Sequence, residues 1–281
     1  MNHPFFPFRQ IGDFQVTALS DGIMSASLDL LSGTENIDAR AIQHNAGITE
    51  PGDIHINCYL IRGWGRTILV DTGTGSLNNA GGQLKANLAV AGVSTDDVDT
   101  VLLTHCHPDH IGGLLDAEKK PVYKHAEILL HPLEAEHWWD DKKLKIANAR
   151  GQSNFRLVRQ TLNAYAKSVR FFNGNKIAEH ILPVWLPGHT PGHTGFRIDS
   201  GDKSLLIWGD IVHYPHIQST HPSVSIVFDS DSTQAEETRK KILEQAVGEK
   251  LLVAGMHLGR AAFAQILRSG DGYSLSYAEN E

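Results

Sequence analysis

The stretch of sequence that decides the fold is THCHPDHIGG, which occupies positions 104–113. Alternate residues of an extended segment face the same way, so His105 and His107 can bind one ion together. A proline then turns the chain away from the strand, and Asp109 and His110 face a second position nearby. A surface cluster of histidines is the alternative, but such tracts are usually terminal and contiguous. Clustered imidazoles and a carboxylate suit Zn²⁺ and similar borderline metals, so the segment predicts a metal site.

Three later loops each supply a further candidate ligand. The sequence LPGHTPGH at 186–193 presents His189 in a Gly/Pro-rich turn, and His193 follows as a supporting or structural residue. Asp210 comes after a short apolar strand, where a carboxylate is able to bridge two cations. His257 ends another such strand. The predicted ligands are His105, His107, Asp109, His110, His189, Asp210 and His257, enough for two ions that keep room for water.

Each candidate ligand lies just past the C-terminal end of a predicted strand. The apolar segments 100–103 and 251–255 are typical of buried strands, and 204–208 is a further predicted strand. Sheet-based enzymes place their sites at such ends, because loops vary while strands hold them rigidly. Asp71 ends the strand predicted at 66–70, and we expect it to hold the outer nitrogen of a metal-binding histidine.

Hydrophobic periodicity predicts the remaining elements of a mixed α/β chain. A turn at Asp21-Gly22 is expected to end the first strand, and the capping box 233–236 to open a helix that runs to Ala246. The other predicted strands are 14–20, 54–62, 126–130, 178–186 and 194–198, and the other helices are 84–91, 131–140 and 154–168.

Length and composition favour a single domain over 1–281, with an N-terminal arm at about 1–12 and a seam between two halves near 141–153. The arm carries Phe5, Phe6 and Phe8, which we expect to pack on the same domain or on a second copy in a homodimer.

The net charge of −7 argues against nucleic acid as a partner, because phosphate-backbone binding needs clustered Lys and Arg. It leaves room for a small anionic substrate held by a local cation. The two cysteines, Cys58 and Cys106, exclude a disulfide scaffold and are expected to be buried thiols. No signal-peptide pattern or run of about 20 apolar residues is visible, so we expect a cytoplasmic protein without membrane contact.

In order and spacing, the motifs resemble the metallo-β-lactamase superfamily, over nearly the whole stretch from Asp71 to His257. The resemblance implies an α/β fold, a four-layer αββα sandwich with the site at one edge of the two sheets. It also implies that Asp210 bridges two ions. One ion would be held by His105, His107 and His189, and the other by Asp109, His110 and His257.

Within the superfamily, the sequences at 207–213, 228–231, 253–257 and 270–273 look most like the methyl-parathion-hydrolase-like branch, beside the N-acyl-homoserine-lactone lactonases. β-Lactam-cleaving members usually have Cys or Ser in place of Asp210, so antibiotic hydrolysis is not favoured. The lactonases place a Tyr three residues after the bridging Asp, whereas this chain has His213 there and Tyr214 next.

The resulting hypothesis is a dinuclear metal-dependent hydrolase in which a metal-bridging hydroxide attacks an ester, lactone or phosphotriester of a small molecule. Zn²⁺ is the expected metal, with Mn²⁺, Fe²⁺ or Co²⁺ as alternatives, and Asp109 or Asp210 would accept or relay a proton. Trp138 and Trp139 either line an apolar pocket or are ordinary core aromatics. The alternative functions are an iron-dependent, sulfur-dioxygenase-like oxidoreductase, a thioester hydrolase of glyoxalase-II type, and a protein with a purely structural metal.

Overall fold

Two β-sheets lie face to face between outer helices, in a computed structural model that describes residues 6–75, 77–172 and 177–277. The strands are β1 (Phe8–Ile11), β2 (Phe14–Ser25), β3 (Leu31–Ser32), β4 (Asp53–Gly63), β5 (Arg66–Val70), β6 (Thr100–Leu102), β7 (Glu127–Leu130), β8 (Val169–Phe171), β9 (Ile181–Trp185), β10 (Thr194–Ser200), β11 (Lys203–Ile207), β12 (Ser225–Ile226), β13 (Leu252–Ala254), β14 (Phe263–Ser269) and β15 (Gly272–Tyr277). The helices are α1 (Asn36–Asn45), α2 (Leu84–Val90), α3 (Pro108–Ile111), α4 (Pro132–Trp139), α5 (Asp141–Ile146), α6 (Ala149–Ala164), α7 (Pro215–Thr220) and α8 (Ser232–Gly248).

The first sheet has the order β1-β2-β4-β5-β6-β7-β8, and the second has the order β15-β14-β13-β11-β10-β9. Strands β5 to β8 run parallel, and so do β11 and β13. Because parallel strands end at the same edge of a sheet, the loops after β5 and β6 lie together, as do those after β11 and β13. This arrangement places the predicted ligand loops at one edge of the sandwich.

Strand β4 shows why both faces of the first sheet are covered. Tyr59 and Ile61 point into the apolar layer between the two sheets, while Cys58 and Leu60 join a second layer under the helices. Side chains alternate across a strand, so an unbroken apolar strand must be buried on both sides. A third layer packs α8 on the outer face of the second sheet. The four-layer αββα architecture predicted from the sequence is therefore confirmed.

The predicted turn at Asp21-Gly22 is wrong. Strand β2 continues through these residues to Ser25, with a bulge between Ser20 and Gly22. The buried Asp21 carboxylate accepts hydrogen bonds from the backbone N–H groups of Thr74, Gly82 and Leu84. These long-range bonds keep Asp21 within strand β2. Gly22 supplies the positive φ of 128° that the bulge needs.

Two predicted helix starts are displaced because a different residue caps each helix. Helix α6 begins at Ala149 rather than 154, since the Asn148 side chain accepts from the Gly151 backbone N–H at 2.8 Å. Helix α8 begins at Ser232, capped by Asp231, so the capping box expected at 233–236 does not form the helix start. The strand predicted at 178–186 is shortened to β9, while Ala178 makes only an isolated bridge.

The N-terminal arm is partly described. Phe5 lies outside the described residues, whereas Phe6 packs against the apolar layer under the helices and Phe8 begins β1, which pairs with β2. The seam predicted near 141–153 falls on α5 and the start of α6. The chain passes from the first sheet to the second between Phe171 and Ile181. Among the described helices, each is too short or too polar to cross a lipid bilayer.

Candidate metal centre

Three imidazoles from two loops converge at one corner of the site. His105 and His107 follow β6, and His189 follows β9. His105 Nε2 lies 3.0 Å from His107 Nδ1, which lies 3.0 Å from His189 Nε2, and the third side of the triangle measures 3.1 Å. Three nitrogens bound to one tetrahedral zinc stand about 3.3 Å apart, given Zn–N distances of about 2.0 Å. The triangle is therefore close to the size that a single ion requires.

A second group of side chains lies beside the first. The Oδ2 atom of Asp109 is 3.5 Å from His110 Nε2 and 3.6 Å from His257 Nε2. His257 enters from the far sheet, after β13, and Asp210 completes the group from the loop after β11. The ligand-type atoms of these four residues all lie within 4.8 Å of one another.

The carboxylate of Asp210 joins the two groups. Its Oδ2 atom lies 3.4 Å from His189 Nε2 on one side, and 3.2 Å from both His110 Nε2 and His257 Nε2 on the other. His213 Nε2 is also 3.2 Å from this oxygen. The structure thus brings together all seven predicted ligands and adds His213 to their immediate surroundings.

Hydrogen bonds on the outer side of the rings fix which nitrogen faces the centre. His110 Nδ1 donates to Asp71 at 2.7 Å, His189 Nδ1 donates to Asp229 at 2.8 Å, and His257 Nδ1 donates to the His55 carbonyl oxygen at 2.7 Å. A neutral imidazole that donates through Nδ1 keeps a bare lone pair on Nε2. The Nε2 atom of each ring therefore points inward, where it binds a metal once its proton is lost.

Unpaired polar atoms on the clustered residues are a further sign that the site fits divalent ions. Among the described residues, His110 Nε2, Asp210 Oδ1 and His213 Nδ1 are buried without a hydrogen-bond partner. Buried polar atoms in folded proteins are nearly always paired, so three unpaired atoms in one cluster point to a missing partner. Imidazole and carboxylate donors suit Zn²⁺ and neighbouring metals.

Burial and close charges shift the titration of these groups in opposite directions. Burial alone would lower the pKa of His189, but hydrogen bonds to Asp210 and Asp229 outweigh it and raise the pKa to about 9. Burial and the nearby His110 hold the pKa of His105 well below its usual range. Burial opposes ionisation of Asp109, yet the adjacent His110 lowers the pKa of that carboxyl group. The Asp109 carboxylate is therefore ionised and available to a cation at neutral pH.

Asp71 occupies the supporting position expected from the sequence. Its carboxylate also accepts from the backbone N–H of Thr104 at 2.8 Å and from the hydroxyl of that residue at 2.7 Å. The residue takes a left-handed backbone conformation, with φ of 59°, immediately after β5. This turn brings the carboxylate under the ring of His110.

His193 positions the Asp210 loop rather than joining the ligands. Its Nδ1 donates to the Leu186 carbonyl oxygen at 2.8 Å, and its Nε2 accepts from the Asp210 backbone N–H at 2.9 Å. Gly209 has φ of +62°, and a Cβ at this position would lie 2.3 Å from His193 Nε2. The close approach that orients Asp210 therefore requires glycine.

Two supporting carboxylates were not assigned from the sequence. Asp229 holds His189 and lies 3.8 Å from the buried Arg239 guanidinium. Glu134 is fully buried on α4 and accepts four hydrogen bonds, two on each oxygen. The donors are Cys106 N, Trp138 Nε1, Thr190 Oγ1 and Gly192 N. An acidic residue one turn before a tryptophan on an apolar helix face was the one local signal for Glu134.

A cavity of about 150 Å³ opens next to the ligands and is named here the inner cavity. Its apolar wall is formed by Met24, Leu77, Ala80 and Phe228, and its other lining residues include His107, Asp109, Arg150, Asn154, Asp210 and His213.

A wider space of about 610 Å³, the outer groove, shares His107, Arg150 and Asn154 with the inner cavity. Trp138 lines this groove while its indole N–H bonds Glu134. Trp139 is 45% exposed and packs under Arg159 instead. The hydroxyl of Tyr214 bonds the Gly52 carbonyl oxygen at 3.0 Å, so it is His213 that faces the ligands.

The sequence profile of the Metallo-beta-lactamase superfamily matches residues 51–257, which span every predicted ligand. The chain therefore belongs to this superfamily and is a metal-dependent hydrolase. The family, the fold and the enzyme class expected from the motifs are confirmed.

Among solved structures, the chain is similar to AidC, described as a dizinc quorum-quenching lactonase in complex with a product. The two share 27% sequence identity, with a TM-score of 0.91 and coverage of 98% of each chain. A hydrolase named AbOPH is 26% identical, with a TM-score of 0.90 and the same coverage of both chains.

The matches to curated relatives cover a smaller share of each protein. A beta-lactamase-like protein 2 homolog of Caenorhabditis elegans is 33% identical over 110 residues, which are 36% of this chain and 35% of that protein. An atrochrysone carboxyl ACP thioesterase of Passalora fulva is 27% identical over 231 residues, or 79% of this chain and 59% of that protein. The matches thus span from about a third to three fifths of these two relatives.

Proposed function

We propose that this protein is a dinuclear hydrolase that cleaves an ester or lactone of a small molecule. The observation that carries the proposal is the position of Asp210 Oδ2 between two groups of ligand-type atoms, 3.2 to 3.4 Å from imidazoles of both. A carboxylate oxygen with neighbours on both sides suits a pair of ions. Likeness to the dizinc lactonase AidC supports the same function, and zinc is the proposed metal.

The proposed ligand sets are those expected from the resemblance. His105, His107 and His189 would hold one ion, Asp109, His110 and His257 the other, and Asp210 both. When bound, a pair of divalent ions supplies a water acidic enough to ionise near neutral pH and polarises the oxygen of the scissile bond.

The chain's own residues would do the rest. Asp109, whose carboxylate is 18% exposed, is the proposed proton acceptor, because it is the ligand carboxylate that reaches the inner cavity most openly. His213 lines the same cavity, and its Nε2 lies 3.2 Å from Asp210 Oδ2, so it is placed to orient that carboxylate. The apolar wall of the inner cavity excludes water from the part of the substrate next to the bond that breaks.

A thioester is the second candidate substrate, because the match to a fungal thioesterase covers 79% of this chain. Phosphotriester cleavage is the third, in line with the methyl-parathion-hydrolase-like motifs. We propose a small molecule rather than a nucleic acid, since the net charge is −7. A homodimer is proposed as the assembly, and light scattering at micromolar concentration tests it.

Metal analysis and a substrate panel test the proposal together. Protein purified without chelators should carry about two ions per chain, and zinc-loaded protein should hydrolyse aryl esters, acyl-homoserine lactones, acyl thioesters or methyl parathion. A single ion per chain, or activity on a β-lactam alone, would contradict the proposal. Iron content with oxygen consumption and no hydrolysis would favour the oxidoreductase alternative instead.

A further inference from the structure

The wall shared by the inner cavity and the outer groove carries a cation whose position nothing above explains. Arg150 lines both spaces, together with the half-buried Asn154 one turn along α6. The Arg150 guanidinium lies over the Phe228 ring, 4.5 Å from its centroid, and reaches the Val227 carbonyl oxygen at 3.4 Å. It is thus held at the mouth of the cavity that adjoins the ligands.

Arg150 has no ion pair with a carboxylate among the residues that the structure describes. Asp231, an acid that lines the outer groove, is occupied as the N-cap of α8. The side-chain amide of Asn154 likewise makes no hydrogen bond within the described ranges. Apart from the contacts of Arg150 with Val227 and Phe228, the guanidinium and the amide are therefore available to bind a substrate group.

The local sequence gives no structural reason for a cation at this position. Arg150 stands in the first turn of α6, a helix of 16 residues whose first turn carries no acidic residue. The N-terminal end of a helix carries partial positive charge, so an arginine there is placed against the helix dipole. The dipole and the guanidinium instead reinforce each other in attracting an anion.

Lys143 extends the positive charge along the same groove, where its ammonium lies 3.2 Å from His137 Nδ1. The lining of the outer groove includes these two cations and the carboxylate of Asp231, whereas the protein as a whole has a net charge of −7. The rest of the surface is negatively charged overall and repels anions at long range. Local cations are therefore needed to attract an anion to this wall.

We propose that Arg150 is a specificity-determining residue that binds a carboxylate on the substrate, so the enzyme prefers esters that carry a negative charge remote from the scissile bond. The inference rests on the proposed function, since it assigns a substrate class to that site. The apolar segment between the two groups occupies the inner cavity, which is about 150 Å³, the size of an engineered cavity that admits benzene. Asn154 donates a second hydrogen bond to the same carboxylate.

Two aryl esters of equal chain length isolate the charge. The p-nitrophenyl half ester of adipic acid and p-nitrophenyl hexanoate differ only in a terminal carboxylate against a methyl group. In Arg150→Met, we expect KM for the half ester to rise about tenfold with kcat unchanged. A tenfold change corresponds to the low end of what a hydrogen bond to a charged group contributes. The hexanoate constants should stay the same in this variant.

The matched control is Arg156→Met. Arg156 is an exposed arginine on the same helix, and it hydrogen-bonds Gln152 and lines neither cavity. It should alter neither substrate. Arg150→Lys keeps the charge without the planar fork, so it should recover part of the preference. Equal effects of Arg150→Met on both esters, or no effect on either, would overturn the assignment. Arg150→Gln provides a second test if the methionine variant does not fold.

A binding measurement separates this inference from the proposed hydrolysis. Calorimetry on metal-loaded protein compares adipate with hexanoate, which present the same carboxylate to the ions but differ at the far end. If no panel substrate is cleaved, the proposed function fails, yet an adipate preference that disappears in Arg150→Met still supports the carboxylate site. An adipate preference that survives in the variant, or none in the parent protein, rejects it.

Discussion

Replacing Glu134 by glutamine should weaken the hydrogen bonds that hold two of the ligand-bearing loops in place. The buried carboxylate ties the loop after β6, through Cys106, to the loop that carries His189, through Thr190 and Gly192. All four of its partners act as hydrogen-bond donors in this arrangement. A glutamine has the same shape but presents an NH₂ group in place of one acceptor oxygen.

The size of the effect follows from those contacts. If the amide oxygen keeps Cys106 and Trp138, the amide nitrogen faces the Gly192 backbone N–H, which lies 3.1 Å from the carboxylate oxygen. Thr190 can rotate its hydroxyl to accept, but a backbone N–H cannot. An unpaired buried donor costs about 1–3 kcal/mol. Burial raises the pKa of Glu134, so glutamine also relieves a buried charge, and we expect a net loss of about 2 kcal/mol.

The assay is urea unfolding of metal-free protein, which separates the stability of the fold from that contributed by ions. A loss of about 2 kcal/mol should accompany a fall in Tm of about 4–8 °C for a chain of this size. Glu136→Gln is the matched control, because Glu136 is exposed on the same helix and should change stability by less than about 0.5 kcal/mol. Equal stability of Glu134→Gln and the parent protein would refute the reasoning.

Three further predictions concern the same region. Asp210→Ala should reduce bound metal toward one ion per chain by plasma emission analysis, and two retained ions would argue against bridging. Gly209→Ala should cost about 1–3 kcal/mol and weaken metal binding, because the new Cβ would lie 2.3 Å from His193 Nε2. Gly201→Ala has a similar φ of +64° with open space around it, so a similar loss there would trace the effect to backbone strain alone. Burial and nearby Lys143 lower the pKa of His137 to about 4, so its folded form takes up its proton later than the unfolded chain as pH falls. Metal-free protein should lose stability from pH 6.5 toward 4, and His137→Gln should lose less; an unchanged slope would contradict this.

The ligand set was predictable because each part of it is local. Every ligand follows a short apolar run whose end is visible in the sequence, and residues two apart in the first loop face one way. The strand ends then meet at one edge because the strands run parallel, a rule that needs no detailed coordinates. The sequence motifs were therefore sufficient to predict both the fold and the residues that lie together at the centre.

Asp229 and Glu134 were harder to assign than Asp71, because neither directly ends an apolar strand and their partners are distant along the chain. Asp229 lies 40 positions from His189, and Glu134 lies 56 positions from Thr190. Such pairs depend on how the sheets and helices dock, which periodicity does not encode. The error at Asp21 has the same origin, since its partner Leu84 lies 63 positions away. A local turn signal was outweighed by contacts that form only in the folded chain.

The inward-facing nitrogens have a consequence for the lifetime of the protein. The raised pKa of His189 means that a proton sits among imidazole nitrogens 3.0 Å apart until a cation replaces it, so metal binding releases protons from this site. An ion whose free concentration is about a thousandfold above its Kd adds about 4 kcal/mol to folding stability. Metal supply then governs the lifetime of the protein as well as its activity. Chains without bound metal unfold more often and are degraded by proteases sooner.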